Sequence, residues 1–165
     1  MEQQNPYQSP QTQVQDYSGD LRLAGRGKRL GAALLDAVIA IVVMLPIMFA
    51  GGYFATMSDG GPGIGVQLLW GVVGLAVFFA IQYVPLKNSG QTWGKKIVGI
   101  RIVDMEGRQP DLGVLLGRRY LFANGIGLVP LVGGLISLVN VLFIFRSDRR
   151  CLHDVVADTQ VVEAD

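Results

Sequence analysis

Asp36 and Arg29 are the residues whose types and spacing could do chemistry. Asp36 is the only carboxylate in an apolar run from Leu30 to Gly52, and Arg29 stands seven residues before it. A charged side chain at the centre of a membrane-length helix costs about 2.5–3.5 kcal/mol on insertion scales. A compensating partner or a pathway is therefore expected. Seven residues return a helix to nearly the same face, about 10.5 Å further along. Arg26, Arg29, Ala33 and Asp36 thus fall on one stripe. Arg29 sits at the boundary and can extend to water, while Asp36 lies about two turns deeper. A carboxylate balanced between burial and a nearby cation is suited to exchanging a proton for another cation. The same set also reads as an intramembrane ion pair that only fixes helix packing. Gly31, Ala32 and Ala33 would let another helix approach closely.

A second constellation, Arg149 to Thr159, follows the last apolar run. Asp154 could reach back to a basic residue at the start of the first helix. His153 beside Asp154 could relay protons, or the pair could cap a short helix. His153 is the only histidine and Cys151 the only cysteine, so a multi-histidine or cysteine-cluster metal site is excluded. Cys151 reads as an incidental thiol. No metal or cofactor is expected. The run Gly90 to Lys96 lacks the spacing of a phosphate loop, with three residues between its glycines and no Ser or Thr after Lys95. It reads as a tight turn with Trp93 at an interface and Lys95 and Lys96 as anchors. Gly113 and Gly117 fit a small-residue helix contact, a spacing common by chance. There is no Gly-x-Ser-x-Gly and no catalytic cluster, so the chain is not expected to be an enzyme.

The elements that must position these residues follow from composition. The chain has 165 residues, 50% hydrophobic and 16% charged, where soluble domains carry roughly 25% charged. Its net charge of +1 gives no reason for a nucleic-acid partner. The expected fold is an all-α membrane protein, a small transmembrane helix bundle with two full spans at about 30–53 and 64–84. The second span is expected to end at Pro85, with Gln67 and Gln82 satisfied by water or headgroups near its ends. A third hydrophobic region at 121–145 has basic residues at both ends and is interrupted by Pro130 and several glycines. It reads as kinked or re-entrant, turning near Pro130, with a single span as the alternative. Ile97 to Val103 is expected to form a short cytoplasmic strand, followed by a turn at Asp104 to Gly107, with Thr159 to Val162 as its partner. Residues 1–20 are polar and Gln-rich, lack a signal-peptide pattern, and read as a disordered cytoplasmic tail, with Tyr7 between prolines as a docking peptide in the alternative. Residues 21–163 form the transmembrane domain. Lys and Arg cluster before the first span and after the second, and the loop between has none. The positive-inside rule then places both termini in the cytoplasm.

The segment Ala24 to Asp36 resembles the opening of the RDD family of bacterial membrane proteins, named for one arginine and two aspartates. Gly90 to Lys95 with Gly99 to Val103 is similar to its middle signature, and Leu152-His153-Asp154 with Ala157 and Thr159 to its closing one. The likeness covers Leu23 to Val162. Carried over, the arginine falls on Arg29, with Arg26 as the alternative, and the aspartates on Asp36 and Asp154. The resemblance implies a multi-pass protein of the bacterial inner (plasma) membrane. Some relatives are described as monovalent cation/proton antiporters. That would make the cation and the proton partners besides the bilayer, with Asp36 titrating, Arg29 tuning it and Asp154 gating the cytoplasmic mouth. A transporter this small would work as a homo-oligomer. The competing reading is a non-transporting scaffold or accessory subunit whose Arg/Asp set is structural.

Overall fold

A computed structural model describes residues 21–58, 60–127, 129 and 132–164. The expected tail at 1–20 and a turn at Pro130 lie outside the described residues. The chain is mainly helical. Helix α1 runs Arg26–Ala50 and α2 runs Ile64–Ser89, with a short 3-10 turn, Tyr53–Met57, between them. Both are long and apolar enough to cross a membrane, with mean hydropathy of 2.6 and 2.3 over their most apolar stretches. Neither behaves as the core helix of a soluble protein, since Leu34, Val38, Val42, Leu45, Leu69 and Val72 are all exposed. Such faces suit an apolar solvent.

The packed core lies at the basic end of α1 and α2. Helix α3 (Trp93–Ile97), strand β1 (Ile100–Asp104), helix α6 (Leu152–Val156) and strand β2 (Thr159–Glu163) assemble there. The strands pair antiparallel with Ile102 opposite Val161 and Asp104 opposite Thr159. Ala24 adds to the edge through its N–H to the Val161 carbonyl at 2.9 Å. Ala24, Ala32, Leu86, Ile100, Ile102, Leu115 and Val161 form the buried cluster. The β element thus matches the expected pairing, but β1 begins at Ile100, because Ile97 still belongs to α3.

Two expectations about the middle of the chain need correction. Pro85 does not end the second helix, which continues to Ser89. Proline removes the N–H that would bond the carbonyl four residues back, here Ile81. The Trp93 indole N–H donates to that carbonyl at 3.0 Å. The helix ends instead at Gly90, whose φ of 64° permits the left-handed cap. The run after it is a helix rather than a tight turn. Thr92 is its N-cap, its hydroxyl accepting from the Lys95 N–H at 3.3 Å.

The third hydrophobic region is helical in two parts. A π-helical stretch, Val114–Leu121, leads into α4 (Phe122–Ile126), and α5 spans Gly133–Leu142 with a 3-10 turn at Phe143–Phe145. A π turn bonds i to i+5, and Leu115, Arg119 and Tyr120 share its buried face. The two parts lie against each other, with Gly133 tight on the Ile126 and Gly127 carbonyls. Their outer ends both return to α6, through Arg119 and Asn140.

Gly94 lets α3 press onto α1. A Cβ there would lie 2.1 Å from the Ala32 carbonyl oxygen and 2.9 Å from the Asp36 carboxyl carbon. Gly31, which the sequence marks for close approach, has nothing within 4 Å of such a Cβ. Gly94→Ala is expected to lower stability by roughly 1–3 kcal/mol through overpacking, read as a drop in thermal midpoint of the purified protein. Gly31→Ala should not lower it. An unchanged midpoint for Gly94→Ala would show that α3 does not rest on α1.

Candidate functional site

Asp36 and Arg29 leave the same helix stripe for different partners. The Asp36 carboxylate points at α2 and α3. Its Oδ1 accepts from Gln82 Nε2 at 2.9 Å and from the Gly94 N–H at 2.8 Å. Its Oδ2 accepts from the Thr92 hydroxyl at 2.5 Å. Gln82 then accepts from the Trp93 N–H at 3.0 Å through its own oxygen. The first N–H groups of a helix have no intrahelical acceptor, and Asp36 and Gln82 supply two of the missing acceptors for α3. Gln82 is therefore not a headgroup contact as its position suggests; it is 1% exposed and bridges two elements.

Arg29 turns toward the basic end, where its reach is enough to find Asp154. Its guanidinium bonds the Asp154 Oδ2 and the Arg149 carbonyl, and lies 3.5 Å from Cys151 Sγ. Asp154 is also gripped by Arg119 on Oδ1. Arg119 in turn donates to Thr159 Oγ1 at 2.6 Å. Asp154 sits at the third position of α6 and accepts from the Cys151 N–H at 2.9 Å, closing the helix start. Arg150 fastens the far side, donating to the Asp154 carbonyl at 3.2 Å and the Thr159 carbonyl at 3.0 Å. One carboxylate thereby ties α1, the π-helical stretch, α6 and the start of β2.

His153 is part of the same cluster. Its backbone N–H and its Nδ1 both lie 2.9 Å from Asn140 Oδ1. The backbone donor fixes the amide with its oxygen toward the ring, so Nδ1 carries the proton. Nε2 lies 3.4 Å from Asp154 Oδ1. Arg26, the alternative family arginine, meets no carboxylate among the described residues. It donates to the Ile144 carbonyl at 3.1 Å and lies over the Phe145 ring.

Burial governs the protonation of this cluster. It pushes the His153 imidazole down to about 3, against the pull of Asp154. It also pushes the Cys151 thiol up, which favours the protonated form. Burial alone would raise Asp154, but Arg119, with Arg29 beside it, holds the carboxyl well below the usual range. Cys151, His153 and Asp154 lie close enough to share an ion. The Arg29 and Arg119 guanidinium groups already occupy the carboxylate, so the set does not suit a metal cation.

Several of these residues gave weaker signals in the sequence. Arg119 reads there only as a flanking charge, although it is 1% exposed. Thr92 and Gly94 hide in what reads as a turn. Asn140 and Gln82 were visible as polar residues inside apolar runs; Gln82 bonds Asp36 and Asn140 bonds His153.

Asp154 held by Arg29 and Arg119, with Asp36 bonded to α2 and α3, fastens a polar cap onto two long apolar helices. Residues 23–158 match the RDD family, and the chain belongs to it. It is 33% identical over 147 residues to the uncharacterised protein YckC of Bacillus subtilis, covering 86% of this chain and 85% of that protein. It is 30% identical over 146 residues to an uncharacterised protein of Haemophilus influenzae, covering 87% and 80%. No solved structure matches. Family and helices together suggest a place at the membrane.

The cluster makes stability depend on pH in one direction. The unfolded chain takes up a proton at His153 near pH 6.5, whereas the folded protein refuses it until about 3. Unfolded Asp154 likewise protonates before the folded carboxylate does. Both effects make the unfolded state bind more protons as pH falls, so stability must fall. The thermal midpoint is expected to decline from pH 7 to pH 4, with the decline between 6.5 and 5 flattened in His153→Gln. A midpoint that rises on acidification would contradict a neutral His153 beside an ionised Asp154 in the folded protein.

Proposed function

We propose that this protein is a non-transporting scaffold or accessory subunit of the bacterial inner membrane, and that its Arg/Asp set is architectural. In this reading α1 and α2 span the bilayer and the β1–β2 cap faces the cytoplasm. The lysines and arginines around the cap favour that orientation. The observation that carries the reading is the occupancy of both aspartates. Asp36 accepts three internal hydrogen bonds from neutral donors, and Asp154 is held between two arginines. A carboxylate that exchanges a proton for a cation needs an open side for the cation, whereas these donors come from the elements that the aspartates join.

The antiport reading keeps one supporting observation. Asp36 is the single ionisable side chain between Leu30 and Ala50 of α1, and intramembrane carboxylates commonly mark ion pathways. The two readings separate in proteoliposomes. Cation-induced pH change with sodium, lithium or potassium is expected to be absent from folded wild type. Asp36→Asn is expected to lower the thermal midpoint, because the amide cannot accept all three bonds as a carboxylate does. Saturable flux in wild type that Asp36→Asn abolishes would overturn the scaffold reading in favour of antiport.

A further inference from the structure

The basic end of α1 carries more positive charge than the fold uses. Arg26, Arg29, Lys95 and Arg119 line one cleft of about 320 Å³ between α1, α3, the π-helical stretch and α5. Among the described residues, Asp154 is the one carboxylate that pairs with Arg29 or Arg119. Lys95 meets no carboxylate there; it bonds the Tyr120 hydroxyl at 3.3 Å. Arg26 meets only backbone carbonyls and a ring. The Arg119 Nε is buried without a partner. Arg26 is exposed at the mouth of the cleft, but buried Arg29 and Arg119 share one carboxylate and Lys95 is half-buried, and buried cations in excess call for an anion. Apart from His153 and Cys151, the remaining wall of the cleft is apolar, including Ala33 and Val141. The cleft therefore joins a cationic end to an apolar slot along α1.

We infer that this cleft binds the phosphate of an anionic glycerophospholipid, with one acyl chain lying in the slot beside Ala33 and Val141. The inference rests on the bilayer placement under Proposed function, which brings inner-leaflet headgroups to the level of Arg26 and Arg29. Arginine and lysine suit a phosphodiester by charge and by donor geometry. The apolar slot is what distinguishes a lipid from free phosphate, since an inorganic ion has nothing to place there. Membrane surfaces rich in anionic lipid attract basic residues at this depth in any case, and the cleft adds a shaped site to that attraction.

The test uses the full chain in neutral phosphatidylcholine nanodiscs, titrated with phosphatidylglycerol and read by thermal midpoint and native mass spectrometry. Phosphatidylglycerol is expected to remain bound and to raise the midpoint, while sn-glycerol 3-phosphate and inorganic phosphate at equal concentration do not. Arg26→Gln with Lys95→Gln removes two lining charges outside the Asp154 cluster. This variant should bind phosphatidylglycerol roughly thirtyfold more weakly and lose the phosphatidylglycerol-induced rise, measured against its own midpoint in phosphatidylcholine alone. Ala33→Phe fills the slot, keeps the charges and should weaken lipid retention as well. Equal midpoints with phosphatidylglycerol and phosphatidylcholine, indifference to both variants, or a shift reproduced by inorganic phosphate would each overturn the inference. Retention of the protein in alkaline-washed membranes reports the bilayer placement separately, so a failure of placement is told apart from a failure of the site.

Discussion

The Asp154 carboxylate held between Arg29 and Arg119 is the constraint on which the rest of this structure depends. All three side chains are nearly or fully buried. Removing ions from water costs several kcal/mol each, which their attraction offsets only when the geometry satisfies the remaining donors and acceptors. The cluster meets most of that condition by recruiting neighbours, and leaves the buried Arg119 Nε without a partner. Thr159, the Cys151 N–H and the Arg149 carbonyl fill the positions that the ion pairs leave. The result joins residues at opposite ends of the chain, since Arg29 and Asp154 are 125 apart in sequence. Arg149, whose φ of 52° is unusual for a residue with a side chain, offers its carbonyl to Arg29 within this arrangement.

Asp36 makes the second junction from the same helix. It caps α3, and α3 in turn supplies Trp93 to the carbonyl that Pro85 frees on α2. The Asp36 and Pro85 junctions thus find internal partners beside the apolar helices, as a low-dielectric surrounding demands. The cap holds both helices at their basic ends, where the buried residues cluster, while the apolar surfaces beyond it stay open to lipid or to another protein. That division fits a small anchor presenting a folded cap better than it fits a moving gate.

How much of this was legible in the sequence differs by interaction range. Hydropathy located both long helices, because a run of apolar residues is a local property. The third region was expected to kink or re-enter near Pro130, which lies outside the described residues. The oddity of Asp36 was plain, but its partners were not. Gln82, Thr92 and Gly94 lie 46, 56 and 58 residues away and are uncharged, so no charge pattern points to them. Helical spacing put Arg29 and Asp36 on one face, yet the axial offset lets each reach a different neighbour. Pro85 looked like a terminus because local rules cannot foresee an indole from a later helix. Arg119 was hidden for a similar reason: next to Arg118 and before an apolar run, it looks like a boundary charge, and its partner Asp154 lies far along the chain.

The most direct test of the Asp154 constraint is a double-mutant cycle on Arg29 and Asp154, measured as unfolding free energy of the purified protein at neutral pH. Arg29→Gln and Asp154→Asn are each expected to destabilise, Asp154→Asn by about 3–5 kcal/mol because two buried arginines lose their counter-charge. The double variant is expected to be less destabilised than the sum, with a coupling of roughly 1–3 kcal/mol. Losses that simply add would contradict the constraint, since the two residues would then act independently.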